Sequence, residues 1–231
     1  MKVGIICAGS REFTPFLEDI QVSATSEKAS RIFYEGELEN VPIAAVCSGG
    51  CRVNAAVAAQ IMIDIYSVDI IINAGTAGGI RPDINLFDTV ISTEAAYHDV
   101  AQDTFIKHHP CMSSQYFQAD KTLLELSRKA VSQMDLSSKV LWGRMVTGET
   151  FISENGRERI IDEFSPLCVD METAGVAHVC LVNHIPFIAI RSITDTASHC
   201  GLESFRCNCE KAAGVAENIT KALLREIKVH L

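Results

Sequence analysis

The 231 residues are 48% hydrophobic with a mean hydropathy of +0.17, enough to bury one sizeable core, so a single domain over residues 1–231 is expected. A formal net charge of −9 and an isoelectric point near 5.2 disfavour nucleic acid and anionic membrane surfaces as partners and suit a small neutral or cationic ligand. No apolar run reaches the roughly 18 residues of a bilayer span, no secretory leader pattern opens the chain, and the nine cysteines, with Cys7, Cys47, Cys168 and Cys180 inside apolar segments, read as free thiols of a cytoplasmic protein.

In chain order, residues 2–8 form a β-branched apolar run, followed by Ser10 as a helix N-cap and Glu12 in the first turn. Strands are predicted over 31–37 and 41–47, a helix over 52–66, and a strand over 69–74 that ends in the glycine-rich turn NAGTAGG. A further strand covers 89–93. The stretch 97–117, with His98, His108, His109 and Pro110, shows no clear periodicity, and about twenty such residues in a compact domain mark a functional or interface loop. Then come a helix over 120–134, a strand over 140–146, helices over 156–164 and 173–182, a strand over 186–193, and a terminal helix over 205–228 with Val215, Ile219, Leu223 and Ile227 four apart. Several strands are apolar throughout, the mark of a sheet covered on both faces. The expected fold is α/β, a single-domain three-layer sandwich with a mostly parallel mixed central sheet flanked by helices.

Ligands of such sheets collect beyond the carboxyl ends of the strands. Polar residues follow apolar runs at Gly9–Glu12, in NAGTAGG with Thr76, at Asp170–Glu172, and at Arg191–Asp195. Each acid alone reads as a cap or turn residue. Asp170 and Glu172 straddle Met171, so an extended segment would turn only one of them toward a site. Acids recurring at buried strand ends nonetheless suit cleavage of a glycosidic bond, which needs a proton donor for the leaving group, a base for water, and negative charge beside a cationic sugar. His199, Cys200, Cys207 and Cys209 lack the usual zinc-knuckle spacing and read as helix-face thiols, and the loop histidines read as solvated, so neither metal nor cofactor is expected.

Taken together, MKVGII with Glu12, SGGCRVNAA, DIIINAGTAGG, YHD followed by Phe105, TGETFI, VDMETAGVAHVC and PFIAIRSITDTAS with Ser204 and Phe205 resemble the nucleoside phosphorylase and nucleosidase family, and within it the bacterial 5′-methylthioadenosine/S-adenosylhomocysteine nucleosidases. The resemblance covers nearly the whole chain. It implies that Asp195 protonates N7 of the leaving adenine, Glu12 activates water, and Glu172 holds the ribose hydroxyls with Met171 against the sugar. It further implies that Arg191 and Thr76 position the water, that Phe151 stacks on the purine, and that the Ile152 backbone reads its edge. A homodimer is implied too, with the Phe105 loop reaching the partner's pocket while Phe205 serves its own.

Where a phosphorylase would carry a GDPxR-like loop, this chain has AGSRE, and Asn73 stands where an arginine would precede the glycine-rich turn. Arg11 keeps phosphorolysis open as the alternative to hydrolysis. Gly9 replaces a larger apolar residue, and the run Gly49, Gly50, Cys51, Arg52 replaces GIGK, both beside the family's 5′ site, so a larger or more polar 5′ group is admitted. Together with Ser198 in place of an aspartate, these departures also admit a non-catalytic nucleoside-binding protein.

Overall fold

The computed structural model describes residues 1–101, 104–108, 112–152, 154–199 and 201–230. His109, Pro110 and Cys200 lie outside them. In chain order the elements are β1 (Val3–Cys7), α1 (Ser10–Asp19), β2 (Gln21–Lys28), β3 (Arg31–Leu38), β4 (Val41–Cys47), α2 (Arg52–Asp64), β5 (Ile70–Gly79), β6 (Thr89–Tyr97) and α3 (Thr104–His108). They continue with β7 (Phe117–Gln118), α4 (Lys121–Ser132), β8 (Val140–Thr147), α5 (Glu154–Phe164), β9 (Cys168–Asp170), α6 (Thr173–Asn183), β10 (Phe187–Asp195) and α7 (Leu202–His230).

All ten strands join one mixed sheet, with β1 at its centre pairing parallel to β4 and β5. The sheet does not stay open. β5 pairs β10 along one edge, β10 pairs β6, and the path runs on through β8 and β9 back to β5, so five strands close on themselves. This corrects the expectation of a plain sandwich. Closure satisfies the edge hydrogen bonds that an open sheet would leave exposed.

Helices still cover both faces, as the apolar strands require. α2 and α6 bury Ala55, Ala58, Ala59, Met62, Ala174 and Ala177 on one side. On the other, α1, α4 and α7 bury Phe13, Phe16, Leu123, Leu126, Ile219, Leu223 and Ile227. Small residues on α2 and α6 let those helices lie close together. α5 closes a smaller cluster with Ile160 and Phe164.

Three local readings need correction. β2 was not predicted, because QVSATSEK is exposed along its whole length and carries no alternating apolar pattern. The NAGTAGG segment makes up the last seven of the ten residues of β5 and is not a turn at its end. Gly9, not Ser10, occupies the N-cap of α1, and Ser10 is its first helical residue.

Candidate active site

The carboxyl ends of β1, β5, β9 and β10 converge on a cavity of about 430 Å³. Its lining includes Glu12, Thr76, Phe151, Ile152, Met171, Glu172, Asp195 and Phe205. Eight of the ten candidate residues therefore meet in one place. Arg191 lies behind the wall, 1% exposed, among the carboxylates that it holds. Phe105 does not reach the cavity: it is buried against Tyr97, Phe117 and His178 of its own chain, with ring centroids 5.5, 6.0 and 5.5 Å away.

Glu12 sits in the first turn of α1, just past β1. One of its oxygens accepts from the N–H groups of Ala8 at 3.1 Å and Gly9 at 2.8 Å, and the other from the Thr76 N–H at 2.6 Å and hydroxyl at 2.7 Å. Four donors fill the acceptor positions of one carboxylate. Such a carboxylate is fixed in place. Gly75 is required by this approach, since a Cβ there would stand 2.6 Å from Glu12 Oε1 and 2.9 Å from Arg191 Nη1.

Arg191 on β10 organises the floor of the cavity. Its guanidinium lies 3.0 Å from Asp170 Oδ2, 3.4 Å from Glu172 Oε2 and 3.8 Å from Glu12 Oε1, and donates to Asn73 Oδ1 at 2.7 Å and the Thr76 carbonyl at 3.2 Å. Burial alone would pull its pKa down, but Asp170, Glu172 and Glu12 push it higher than usual, so the cation is secure.

Asp170 and Glu172 both face this arginine, against the expectation that only one could. β9 ends at Asp170, and Glu172 is the N-cap of α6 with φ −132° and ψ −42°, so the alternation of an extended strand does not hold between them. Asp170 also accepts from Thr147 Oγ1 at 2.6 Å, from the Thr173 hydroxyl, and from the backbone N–H groups of Glu172 and Thr173. It is the positioning carboxylate that sequence reasoning missed; the signal was the acid two places before Glu172 in VDME.

Glu172 accepts the Cys51 N–H at 2.9 Å. Cys51 has φ 75°, a backbone strain of about 1–3 kcal/mol at the entry to α2, and that hydrogen bond helps hold it. Burial, opposed by Arg191 and reinforced by Asp170 and Glu12, pushes the Glu172 pKa up to about 7.

Asp195 follows an irregularity in the β5–β10 register between Ile193 and Asp195, and stands opposite Gly78. The bulge turns the carboxylate into the cavity, where a Cβ on Gly78 would come within 3.0 Å of Oδ2. Burial raises the Asp195 pKa, against the opposing pull of the Thr194 hydroxyl bond at 2.8 Å and the charge of Arg157. Phe151, 41% exposed, and Ile152 form the wall at the start of α5, and Arg157 bonds the Gly79 carbonyl at 2.6 Å.

Other candidates fall away from the chemistry. Cys209 lines the cavity, but burial raises its pKa to about 11 and keeps it a neutral thiol, while Cys207 on the same helix is exposed. His98 is not solvated: it is 4% exposed, packed against Gly148, and neither ring nitrogen has a hydrogen-bond partner among the described residues. Among those residues no group of three His, Cys, Asp or Glu side chains is arranged to hold a metal ion, and no helix is long and apolar enough to cross a membrane.

The Phosphorylase superfamily matches residues 2–225. The chain is 34% identical over 233 aligned positions to a 5′-methylthioadenosine/S-adenosylhomocysteine nucleosidase of Bacillus subtilis (strain 168), covering 99% of both chains. Its fold superposes with a TM-score of 0.90, at 30% identity and over 98% of this chain and 95% of the other, on a nucleosidase of the same description from Colwellia psychrerythraea 34H in complex with adenine. A third such protein, from Neisseria meningitidis in complex with methylthio-immucillin-A, matches with a TM-score of 0.89 at 28% identity over 97% and 98% of the two chains. With fold and sequence shared along nearly its full length, the chain belongs to the Phosphorylase superfamily.

Proposed function

We propose that this protein is a nucleosidase that hydrolyses the N-glycosidic bond of an adenine nucleoside such as 5′-methylthioadenosine or S-adenosylhomocysteine, releasing adenine and the free sugar. One observation carries the reading: three carboxylates, Glu12, Glu172 and Asp195, line one cavity in three different environments. The likeness to proteins of that description supports the substrate class.

Asp195 is the proton donor. Burial favours its neutral form, so it carries a proton at a pH where a carboxyl group in water has lost one, and it passes that proton to N7 of the base. The base then leaves neutral. Phe151 stacks on the purine, and the Ile152 backbone reads its edge. Positive charge builds on the sugar as the bond lengthens, and Glu172 answers it while accepting from the ribose hydroxyls, with Met171 packed against the ring. Water takes the place of the Thr76 hydroxyl at Glu12, with Arg191 and Thr76 fixing its approach, and Glu12 accepts its proton as it attacks.

Phosphorolysis finds its support in Arg11, which lines the cavity. Against it, three carboxylates already occupy Arg191, leaving a phosphate dianion to meet net negative charge at the floor. A homodimer draws support from α2 and α6, which pack together yet leave Val53, Val57, Leu181 and Val182 in solvent, and from Ile106, 54% exposed beside Phe105. Phe105 itself would have to leave its aromatic cluster to enter a partner's cavity. The thiols and acidic surface fit a cytoplasmic protein.

Purified protein is incubated in phosphate-free buffer with methylthioadenosine, adenosylhomocysteine, 5′-deoxyadenosine and inosine. Free adenine from at least one substrate is expected. Strict phosphate dependence with a ribose 1-phosphate product would replace hydrolysis by phosphorolysis, and tight binding without turnover would make the protein a nucleoside sensor.

A further inference from the structure

Behind Glu172, three segments distant in sequence are tied through one side chain. Arg52 opens α2; its Nη1 donates to Asp99 Oδ1 at 2.7 Å, and its Nε lies 2.9 Å from Glu149 Oε1, which also accepts from the Arg52 backbone N–H at 3.3 Å. Asp99 follows β6 and Glu149 follows β8, and the Glu149 N–H closes the triangle on Asp99 Oδ2 at 3.1 Å. The guanidinium lies over the Tyr97 ring, 5.2 Å from its centroid. The ends of β6 and β8 are flush here: the His98 N–H bonds the Thr147 carbonyl at 3.0 Å, and a Cβ on Gly148 would stand 2.2 Å from His98 Nε2. Arg52, Asp99 and Glu149 themselves do not line the cavity.

Their neighbours in sequence do the work there. Cys51, directly before Arg52, gives its N–H to Glu172 at 2.9 Å from a backbone at φ 75°, and its thiol bonds Glu149. Thr150, Phe151 and Ile152, directly after Glu149, line the cavity. A left-handed φ at a residue other than glycine persists only where its surroundings hold it. Arginine suits that task, because its planar fork holds two carboxylates from two segments at once, where an ammonium is a point charge. The side chains of Arg52, Asp99 and Glu149 are 27%, 28% and 35% exposed, so these ion pairs add little to stability. What they set is position.

We propose that Arg52 is a positioning residue of this site: its clamp on Asp99 and Glu149 holds the Cys51 N–H against Glu172 and fixes the Phe151 wall relative to that carboxylate. The inference rests on the nucleosidase reading, in which Glu172 meets the ribose and Phe151 the base. Burial keeps a proton on Glu172; Arg191 of β10 opposes it, Asp170 of β9 and Glu12 of α1 reinforce it, and the Cys51 N–H opposes it. A slack clamp therefore leaves Glu172 protonated up to a higher pH.

kcat/KM for methylthioadenosine is measured against pH on the unaltered protein, Arg52→Met and Asp99→Asn, with thermal midpoints beside it. In Arg52→Met, kcat/KM at pH 7 is expected to fall about tenfold and the acid limb to move up by about half a pH unit, while the midpoint moves by less than about 4 °C. Asp99→Asn separates clamp from charge. Both groups that face Asp99 are donors, so the amide of an asparagine must break with one of them. Loss of a negative charge alone would move the acid limb down, whereas a slack clamp moves it up. A limb that stays in place in Arg52→Met, or that stays or moves down in Asp99→Asn, overturns the proposal. If no nucleoside is cleaved, the hydrolase reading fails and the clamp is judged by binding: a dissociation constant for methylthioadenosine raised about fivefold in Arg52→Met upholds it, and an unchanged one overturns it.

Discussion

The floor of the cavity and its mouth are built on opposite principles. At the floor the groups around Arg191 are held several times over: Glu12 by four donors, Asp170 by Thr147, Thr173 and Arg191, and Arg191 by three carboxylates and Asn73. At the mouth, Gly9 and Gly50 could carry side chains without a clash, and Arg11 is tied by a single hydrogen bond. Redundant bonds fix charges where a transition state develops, so they do not have to reorganise during reaction. A wall without such bonds can change its residues without unsettling the floor. Chemistry is fixed at one end of the cavity, and substrate choice is free to vary at the other.

The strongest way to break this contrast is to remove the one floor acid that must carry a proton. Asp195→Asn keeps the shape but lacks the acid, and kcat is expected to fall on the order of a thousand- to ten-thousandfold while the dissociation constant for substrate changes little. Steady-state kinetics beside equilibrium binding separates the two, and near-normal kcat would remove Asp195 from its role.

Next in size is Arg191→Met. Glu12, Asp170 and Glu172 would remain buried without their cation, and the fold is expected to lose about 3–5 kcal/mol in urea denaturation. A loss below about 1 kcal/mol, the range of exposed pairs, would mean that the floor is not organised by this charge.

Glu172→Gln sharpens the contrast through pH. The working form of Glu172 is ionised, and its pKa is pushed up to about 7, so kcat/KM should climb as pH rises through about 7. Asp195, which must keep its proton and whose pKa burial raises, sets the opposite limb, a fall in rate as pH rises through that group's own titration. The glutamine variant should be about a hundredfold slower, with the acid-side climb gone. The same group links stability to pH. Between its ordinary value of 4.5 and about 7, the folded state holds a proton that the unfolded state has released, so stability falls as pH rises through that window, and Glu172→Gln makes the slope shallower by this group's share while Glu217, also pushed up to about 7 by burial, keeps its own.

The smallest pair of effects compares glycine with glycine. Gly75→Ala drives a methyl group into Glu12 and Arg191 and should cost about 1–3 kcal/mol of stability, whereas Gly50→Ala should stay within about 0.5 kcal/mol. Equal losses in thermal or urea unfolding would erase the distinction between floor and mouth.

The carboxylates and Arg191 were legible because each ends an apolar run and the ordered motifs give each a role. What escaped was set by contacts distant in sequence. Asp170 and Glu172 share a face only because β9 stops where α6 begins, and strand alternation could not reveal that. Ring closure depends on β10 pairing β5 more than a hundred residues away, a partnership that no local pattern encodes. β2 is exposed throughout and has only Val22 and Ala24 as apolar residues, so periodicity had little to register. His98 looked like a loop residue, yet the Gly148 backbone packs against it and buries it.

The most direct test of the central claim follows the oxygen. In phosphate-free water enriched in ¹⁸O, hydrolysis by water activated at Glu12 predicts one labelled oxygen at C1 of the sugar for every adenine released, unaltered by added phosphate. An unlabelled sugar, or ribose 1-phosphate formed only when phosphate is present, would contradict it.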